Sequence, residues 1–162
     1  MSRVYRVLRK AYARTAFDGE GAYRYGGRWS SPGTRLCYAS EHQSLAMLEY
    51  FVHLDQDDPP DDLVLAVAEV PDDLTRAWVE TDRLPPNWRD SAAPPELARF
   101  GDEFARRGKD CQLRVPSVLA PSENNWLINP AHPDCRKIVV RATESLNYDP
   151  RMFRKQRHRH PQ

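Results

Sequence analysis

The sequence predicts one compact domain that mixes α and β structure, of either the α/β or the α+β class. Its 162 residues are the usual length of a single domain and are enough to bury a hydrophobic core. Segments with strand patterns recur along the chain and are interrupted by two segments with helical patterns. No internal repeat or second boundary is visible. We therefore expect the domain to span residues 1–154 and the basic residues 155–162 to form a disordered tail.

The first third of the chain contains two predicted strands and one predicted helix. Apolar and polar residues alternate over 4–10, which predicts the first strand. Five of the seven glycines crowd between residues 19 and 33, which indicates unusual backbone conformations or close approach of a ligand. A short strand is predicted over 35–40. Ser40 with Gln43 three residues later is typical of a capping box, so a helix is predicted over about 41–54.

Two segments in the middle of the chain are predicted to be irregular. Residues 55–62 carry five acids and two prolines and predict a solvated loop. Residues 83–95 contain too many prolines for regular structure. Between these segments, 63–70 is the most apolar strand and is expected to be central in the sheet, with 75–80 paired beside it.

The last third predicts one helix and two strands. The helix spans 95–108, with a proline in its first turn and Gly108 as its stop. Strands are predicted over 113–121 and 136–142, on either side of the segment SENNWLINPAHP.

Composition excludes several classes of function. The chain has 24 Lys and Arg against 23 Asp and Glu, so no overall charge attracts it to nucleic acid or membrane. It has no apolar run near 18 residues and no signal-peptide pattern. The three cysteines are odd in number and widely spaced, which suits reduced thiols. We expect a cytoplasmic protein.

Glu49 is an unusual residue for its place in the predicted helix. It lies four residues after Leu45 and three before Val52, so its carboxylate projects from the apolar stripe. A carboxylate removed from water must be paired or hydrogen-bonded. One interpretation is an ion pair with Arg28 or Arg6, and the other is a catalytic carboxylate facing a pocket. Spacing alone does not choose between them.

Three other residues are candidates with ordinary structural alternatives. Arg28 follows Gly26-Gly27, where small residues allow a guanidinium to approach a phosphate, but a structural ion pair fits equally well. No complete phosphate-loop motif occurs. Tyr38 is by default a core tyrosine, and Ser117 lacks the GxSxG context of a nucleophile.

Two further features carry weaker signals. His132 and Cys135 are three residues apart without a second ligand pair, so no metal site is expected. Residues 151–160 hold five Lys or Arg, two His and no acid. Such a segment fits a disordered tail or a contact with phosphate-rich partners.

Several motifs in the same order identify a family resemblance. The segments are GGRWSSPGTRLCYASEHQSLAMLEYFVHL (26–54), VPSVLAPSENNWLINPAHPD (115–134) and NYDPRMF (147–153). From about Val4 to Phe153 the chain closely resembles the RES domain, named for its Arg, Glu and Ser. The resemblance implies an α+β domain with a central mixed β-sheet flanked by helices, similar to ADP-ribosyltransferase toxins.

The resemblance also implies the residues of a site. By motif, the family's arginine, tyrosine, glutamate and serine fall on Arg28 in GGRW, Tyr38 in LCYAS, Glu49 in MLEY and Ser117 in VPSV. Ser122 in SENN is a nearby alternative for the serine. The residues implied for binding NAD⁺ are Arg6, Gly27, Arg28, Tyr38, Ser117 and Asn125.

The activity implied is destruction of NAD⁺ by hydrolysis or phosphorolysis. Glu49 would stabilise the positive charge that develops on the ribose. Arg28, Arg6 and the glycine-rich turn would hold the pyrophosphate. Tyr38 would stack on the nicotinamide or the ribose, and Ser117 would hydrogen-bond the nicotinamide amide or position Glu49.

The resemblance finally implies partners. RES proteins are typically toxins of bacterial toxin–antitoxin pairs, neutralised by a partner with an Xre-type helix-turn-helix domain, and a homo-oligomer within that complex fits this picture. NAD⁺ is then the substrate, with inorganic phosphate as a co-substrate if the reaction is phosphorolysis, and no other cofactor is expected. Neither membrane binding nor direct nucleic-acid binding is expected. Two alternatives stay open: an ADP-ribosyltransferase that modifies a protein, and a binding module that uses the basic tail.

Overall fold

A computed structural model describes residues 1–153 and contains one seven-stranded sheet with three α-helices in that range. The strands are β1 (Ser2–Arg9), β2 (Cys37–Ser40), β3 (Leu63–Val70), β4 (Arg76–Trp78), β5 (Gln112–Pro116), β6 (Asn124–Ile128) and β7 (Val139–Ser145). The helices are α1 (Glu20–Tyr25), α2 (Gln43–Phe51) and α3 (Ala98–Arg107). The predicted basic tail, 155–162, lies outside the described residues.

The strand order is β4-β5-β6-β2-β1-β3-β7, with β4 and β5 parallel and the other pairs antiparallel. This is the mixed sheet with flanking helices that was predicted. The sheet divides between β1 and β2, which are paired at one position, Tyr5 with Ser40. By contrast, β1 pairs with β3 along its whole length, from Ser2 to Arg9. The two halves of the sheet therefore diverge, and residues of β1 and β2 on either side of the gap line a cleft.

Helices α2 and α3 pack on different halves of the sheet. Ala46 of α2 is buried in one cluster with Val7 of β1 and Leu65 of β3. Phe104 of α3 is buried in another cluster with Leu127 of β6. Complete burial of a leucine or phenylalanine side chain stabilises the fold by about 1.5–3 kcal/mol. These contacts fix α2 beside the place where β1 and β2 diverge.

Several predicted elements are confirmed with small shifts of their ends. The strands predicted over 4–10, 35–40 and 63–70 are β1, β2 and β3, and β3 has neighbours on both sides. The helix predicted over 95–108 is a 3₁₀ turn (Pro95–Leu97) followed by α3, which ends at Gly108 in the left-handed region at φ 57°. Most of the proline-rich segment is irregular, as expected.

The capping-box prediction at Ser40 is wrong. Ser40 is the last residue of β2, and its hydroxyl donates to Asn125 on the neighbouring strand β6. Helix α2 begins later, at Gln43, and its N-cap residue His42 makes no side-chain capping bond. A pairing with a strand 85 residues away in sequence thus outcompetes the local signal.

The predicted pairing of 75–80 beside β3 is also wrong. The segment contains β4, which pairs in parallel with β5 at the far edge of the sheet. Leu74 explains the displacement, because it is 2% exposed and packs with Trp126 and Ile128 against the sheet. Because this side chain is buried there, the chain crosses the sheet before β4 begins.

One α-helix and one strand were not predicted, and two predicted strands differ in extent. Helix α1 lies inside the glycine-rich stretch, bounded by Gly19 at φ 74° and Gly26 at φ 70°. Strand β6 lies inside the segment that was expected to connect strands. Strand β5 ends at Pro116 instead of continuing to 121, and β7 begins at Val139 because Pro133–Lys137 forms a 3₁₀ helix.

Candidate active site

A cleft of ≈ 950 Å³ opens where β1 and β2 diverge. Its walls come from α1 and the turn after it, from β1, β2 and β6, from the second half of α2, from the proline-rich segment, and from the turn after β5. This volume lies near the upper end of the range for small-molecule sites. The cleft can therefore hold a ligand as large as a dinucleotide.

Glu49 presents its carboxylate to this cleft from α2. Its Oε1 atom accepts two hydrogen bonds, from Ser117 Oγ at 2.7 Å and from Asn125 Nδ2 at 2.6 Å. Among residues 1–153, no cationic side chain forms an ion pair with Glu49 and no hydrogen bond uses its Oε2 atom. The ion pair with Arg28 or Arg6, one of the two interpretations from sequence, is therefore not what holds this carboxylate. Two neutral donors fix one oxygen, and the other has no hydrogen-bond partner among residues 1–153.

Ser117 is held behind Glu49 and does not line the cleft. It is 0% exposed, and its Oγ accepts hydrogen bonds from the backbone N–H groups of Leu119 and Ala120, both at 3.1 Å. With both lone pairs used, its one proton is directed to Glu49. The alternative serine, Ser122, is exposed and makes no side-chain hydrogen bond within the described part of the chain.

Asn125 lines the cleft, and its amide orientation is set by Ser40. The Ser40 hydroxyl donates to Asn125 Oδ1 at 2.7 Å, so the Asn125 NH₂ group must point to Glu49. Asn124 next to it donates its backbone N–H to the Glu41 carboxylate at 2.6 Å, which secures the start of β6. Together these contacts form a continuous hydrogen-bonded chain from β2 through β6 to α2.

Tyr38 and Gly27 meet at another wall of the cleft. The Tyr38 hydroxyl accepts the Trp29 N–H at 3.2 Å and lies 2.7 Å from Ser30 Oγ. Burial raises the pKa of Tyr38 to about 12, so the phenol is protonated at neutral pH. A Cβ at Gly27 would lie 2.8 Å from the Tyr38 hydroxyl, closer than real side chains approach. Position 27 therefore needs a glycine for this packing.

Three arginines line the cleft: Arg6, Arg28 and Arg89. Arg6 donates to Cys37 Sγ and to the Tyr38 carbonyl, both at 3.2 Å, across the gap between β1 and β2. Within residues 1–153 none of the three forms an ion pair, and Glu49 is the one acid in the lining. The cleft thus carries an excess of positive charge in a chain whose net charge is +1. This suits a ligand with phosphates.

A set of metal-type ligands exists on the surface but outside the cleft lining. Side-chain atoms of Glu41, His42 and Glu123 lie within 4.8 Å of one another. Each already has a partner, because Glu41 accepts from Asn124 and His42 Nδ1 lies 3.1 Å from Glu123. His132 and Cys135, considered from sequence, are not part of this group.

A protein-family model described as the RES domain matches residues 3–149. The chain belongs to the RES domain family. This RES domain covers nearly all of the described residues, in agreement with the resemblance found in the sequence motifs. Within the described residues, no helix is long and apolar enough to cross a membrane.

Relatives of this RES domain carry toxin names. The "Prs ADP-ribosylating toxin" of Sphingobium sp. (strain YBL2) is 40% identical over 148 residues, which are 90% of this chain and 92% of that protein. A "Toxin Res" of Yersinia enterocolitica is 33% identical over 150 residues, which are 92% of this chain and 98% of that protein. A chain in the crystal structure of the M. tuberculosis MbcT–MbcA toxin–antitoxin complex has the same fold, with a TM-score of 0.73. It is 18% identical and covers 90% of this chain and 84% of its own.

Sequence reasoning missed two residues of the RES-domain site. Ser40 was interpreted as a helix cap, yet it orients Asn125. Arg89 lies in the proline-rich segment, whose composition gave no sign that it borders the cleft. The available signals were general ones: loops often carry binding residues, and arginine is suited to two-point contacts with phosphate.

Proposed function

We propose that this RES-domain protein is a toxin that cleaves the nicotinamide–ribose bond of NAD⁺ and passes the ADP-ribosyl group to water or inorganic phosphate. The proposal rests on the surroundings of the Glu49 carboxylate. Its carboxylate faces a cleft, lacks a cationic partner in the described chain, and is held at one oxygen by Ser117 and Asn125. A fixed, unpaired carboxylate is suited to stabilising a cation that forms during a reaction.

Binding of the dinucleotide fits the charge and size of the cleft. NAD⁺ carries a pyrophosphate, and the three arginines of the lining supply the positive charge that it needs. The volume of ≈ 950 Å³ accommodates both nucleoside halves. Tyr38, protonated at neutral pH, contributes an aromatic surface and a neutral hydroxyl without repelling the phosphates.

The chemistry resembles glycoside cleavage. The bond between ribose C1′ and the nicotinamide nitrogen breaks, and nicotinamide leaves as a neutral molecule with the bonding electron pair. Positive charge then spreads over C1′ and the ring oxygen, close to the free Oε2 of Glu49. An oxygen of water or phosphate forms the new bond to C1′, and the acceptor's proton is released to solvent. Because nicotinamide departs neutral, a general acid at the leaving nitrogen is not required.

Ser117 and Asn125 act on this reaction through Glu49. Their two hydrogen bonds meet at Oε1 and fix the carboxylate on its helix, so it does not have to reorganise as charge develops. Ser117 is buried and does not line the cleft, which favours positioning of Glu49 over direct contact with nicotinamide.

The protein would need a neutralising partner in its own cell. We propose a cognate antitoxin in the cytoplasm, of the Xre type that the family resemblance implies. The toxin names of relatives and the toxin–antitoxin complex that shares the fold support the presence of an antitoxin partner. Val52 and Leu119, which line the cleft, have exposed apolar side chains and provide a surface on which such a partner can dock.

A second candidate function is ADP-ribosylation of a protein. The name of the relative that is 40% identical, Prs ADP-ribosylating toxin, favours it. The same cleft and Glu49 would serve, with a side chain of the target protein as acceptor in place of water or phosphate.

One experiment separates these outcomes. Purified protein is incubated with NAD⁺ labelled on the adenylate, with and without phosphate and with and without a cell extract. The proposal predicts nicotinamide release together with free or phosphorylated ADP-ribose. Label that appears on protein would support the second function, and intact NAD⁺ under all conditions would refute both.

A further inference from the structure

Arg28 and Arg89 play different parts in the cleft, although the family resemblance points to Arg28 and Arg6 and not to Arg89. An arginine has five N–H donors. Three of those of Arg28 donate to the backbone of the proline-rich segment, with Nη1 donating to the Trp88 carbonyl at 3.0 Å. Nη2 donates to the carbonyls of Asp90 at 2.9 Å and Ser91 at 3.4 Å. Both terminal nitrogens of Arg28 therefore already have partners.

Arg89 lies in the sequence between the residues that supply these carbonyls, and fewer of its own N–H donors have partners. Its side chain is exposed, lines the cleft, and makes one hydrogen bond in the described structure, from Nη2 to the Val118 carbonyl at 3.3 Å. That leaves Nε and Nη1 available for a two-point contact with a phosphate, which a guanidinium makes better than any other side chain.

The segment that carries Arg89 is held in place at several points. Trp88 and Leu84 pack against the cluster of buried residues around α3, and Pro94 is buried. The Trp88 N–H donates to the Pro85 carbonyl at 3.0 Å, and prolines restrict the backbone further. With Arg28 bound to its carbonyls, the segment forms a strap along the edge of the cleft. Arg89 is thus presented on ordered backbone, which lowers the entropic cost of binding.

We propose that Arg89 is the residue that grips the pyrophosphate of the bound dinucleotide, and that Arg28 is a positioning residue that secures the strap carrying Arg89. This inference rests on the proposed function and names the phosphate-binding residue of the same site. The resemblance assigned the pyrophosphate to Arg28, Arg6 and the glycine-rich turn; the proposal moves the contact of Arg28 to a segment outside the family motifs.

The test compares Arg89→Gln with Arg83→Gln. Arg83 begins the same proline-rich segment, is exposed, and does not line the cleft, so it controls for loss of one positive charge. For Arg89→Gln we expect KM for NAD⁺ to rise about tenfold with kcat within about twofold. For Arg83→Gln we expect neither to change. Affinity for ADP, measured by titration calorimetry, should fall by the same factor as KM rises.

A double-mutant cycle tests the role of Arg28. A lysine at position 28 has one terminal nitrogen and cannot reproduce the fork that places Nη1 and Nη2 on separate carbonyls, so Arg28→Lys should loosen the strap and raise KM through Arg89. If Arg28 acts only through Arg89, the double variant Arg28→Lys/Arg89→Gln has the same KM as Arg89→Gln alone. Losses that multiply would show that Arg28 binds phosphate itself and would overturn its positioning role.

Failure of this inference can be distinguished from failure of the proposed function. If the wild type releases nicotinamide and Arg89→Gln behaves like Arg83→Gln, the inference is wrong and NAD⁺ cleavage stands. If the wild type does not cleave NAD⁺ but binds ADP, and Arg89→Gln weakens that binding about tenfold, the phosphate site stands without the reaction. If the wild type binds neither NAD⁺ nor ADP, the inference falls together with the function.

Discussion

Replacing Ser117 by alanine removes a hydroxyl that makes three hydrogen bonds in a fully buried position. One bond is donated to Glu49 at 2.7 Å, and two are accepted from the N–H groups of Leu119 and Ala120 at 3.1 Å. A hydrogen bond to a charged group contributes about 1.5–3 kcal/mol, and Ala120 and Leu119 can recover water because they are only partly buried or exposed. We expect the free energy of unfolding to fall by about 2 kcal/mol and Tm by about 4–8 °C.

The same substitution should slow the reaction more than it weakens binding. Glu49 keeps its bond from Asn125 but loses half of its anchoring at Oε1. If that anchoring holds the carboxylate in place for the transition state, kcat falls about ten- to a hundredfold. KM should stay within about twofold, since Ser117 does not line the cleft. Nicotinamide release at 25 °C, well below the expected Tm, is the assay.

Ser122→Ala is the matched control, because Ser122 is exposed and is the other candidate for the family serine. It should leave kcat, KM and Tm unchanged. Ser117→Ala with a lowered Tm and an unchanged kcat would refute the positioning argument and leave Ser117 a structural serine. A raised KM with an unchanged kcat would instead mean that Ser117 touches the substrate.

Two further predictions concern the framework of the cleft. Gly27→Ala brings a Cβ within 2.8 Å of the Tyr38 hydroxyl, so it should lower the free energy of unfolding by about 1–3 kcal/mol. The measurement is urea titration. The control is Gly21→Ala, whose Cβ meets nothing within 4 Å and which should not lower the free energy of unfolding. An equal effect of both would contradict the packing argument. Burial tends to raise the pKa of Asp102, but hydrogen bonds from the turn 31–34 outweigh it and lower that pKa. The stabilisation is then present above the ordinary carboxyl pKa and is lost as pH falls through the lower folded value. The difference in unfolding free energy between the wild type and Asp102→Asn should be constant from about pH 8 to 5 and shrink below about pH 4. A difference that does not vary down to about pH 2 would refute it.

The elements predicted correctly are those whose own residues carry a clear hydrophobic pattern. Strand β3 is an apolar run and β1 an alternating one, and both were found where expected. Glu49 was singled out because a carboxylate on an apolar helical stripe conflicts with its surroundings, and the structure shows it facing the cleft. Conflicts between a residue and its local pattern are where functional positions are expected.

The elements and contacts that were missed depend on distant partners. Ser40 fits a capping box locally, yet its hydroxyl bonds Asn125, 85 residues away. The strap acquires its position from Arg28, which is 60 to 63 residues from the carbonyls that it binds. Strand β6 contains only three consecutive apolar residues and becomes a strand by pairing on both sides. Pairings of this kind are not encoded in any short window of sequence.

The central claim is that the Glu49 carboxylate stabilises the charge formed when NAD⁺ is cleaved. In Glu49→Gln the side-chain carbonyl can still accept from Ser117 and Asn125, so the fold and the cleft are retained while the negative charge is lost. The control is Glu103→Gln, an exposed acid on α3 outside the cleft lining. The measurement is nicotinamide release alongside NAD⁺ affinity from titration calorimetry. The account predicts that Glu49→Gln binds NAD⁺ within a few-fold of the wild type and that kcat falls at least about a hundredfold. Turnover within about threefold of the wild type would contradict it and leave Glu49 a hydrogen-bonded structural residue.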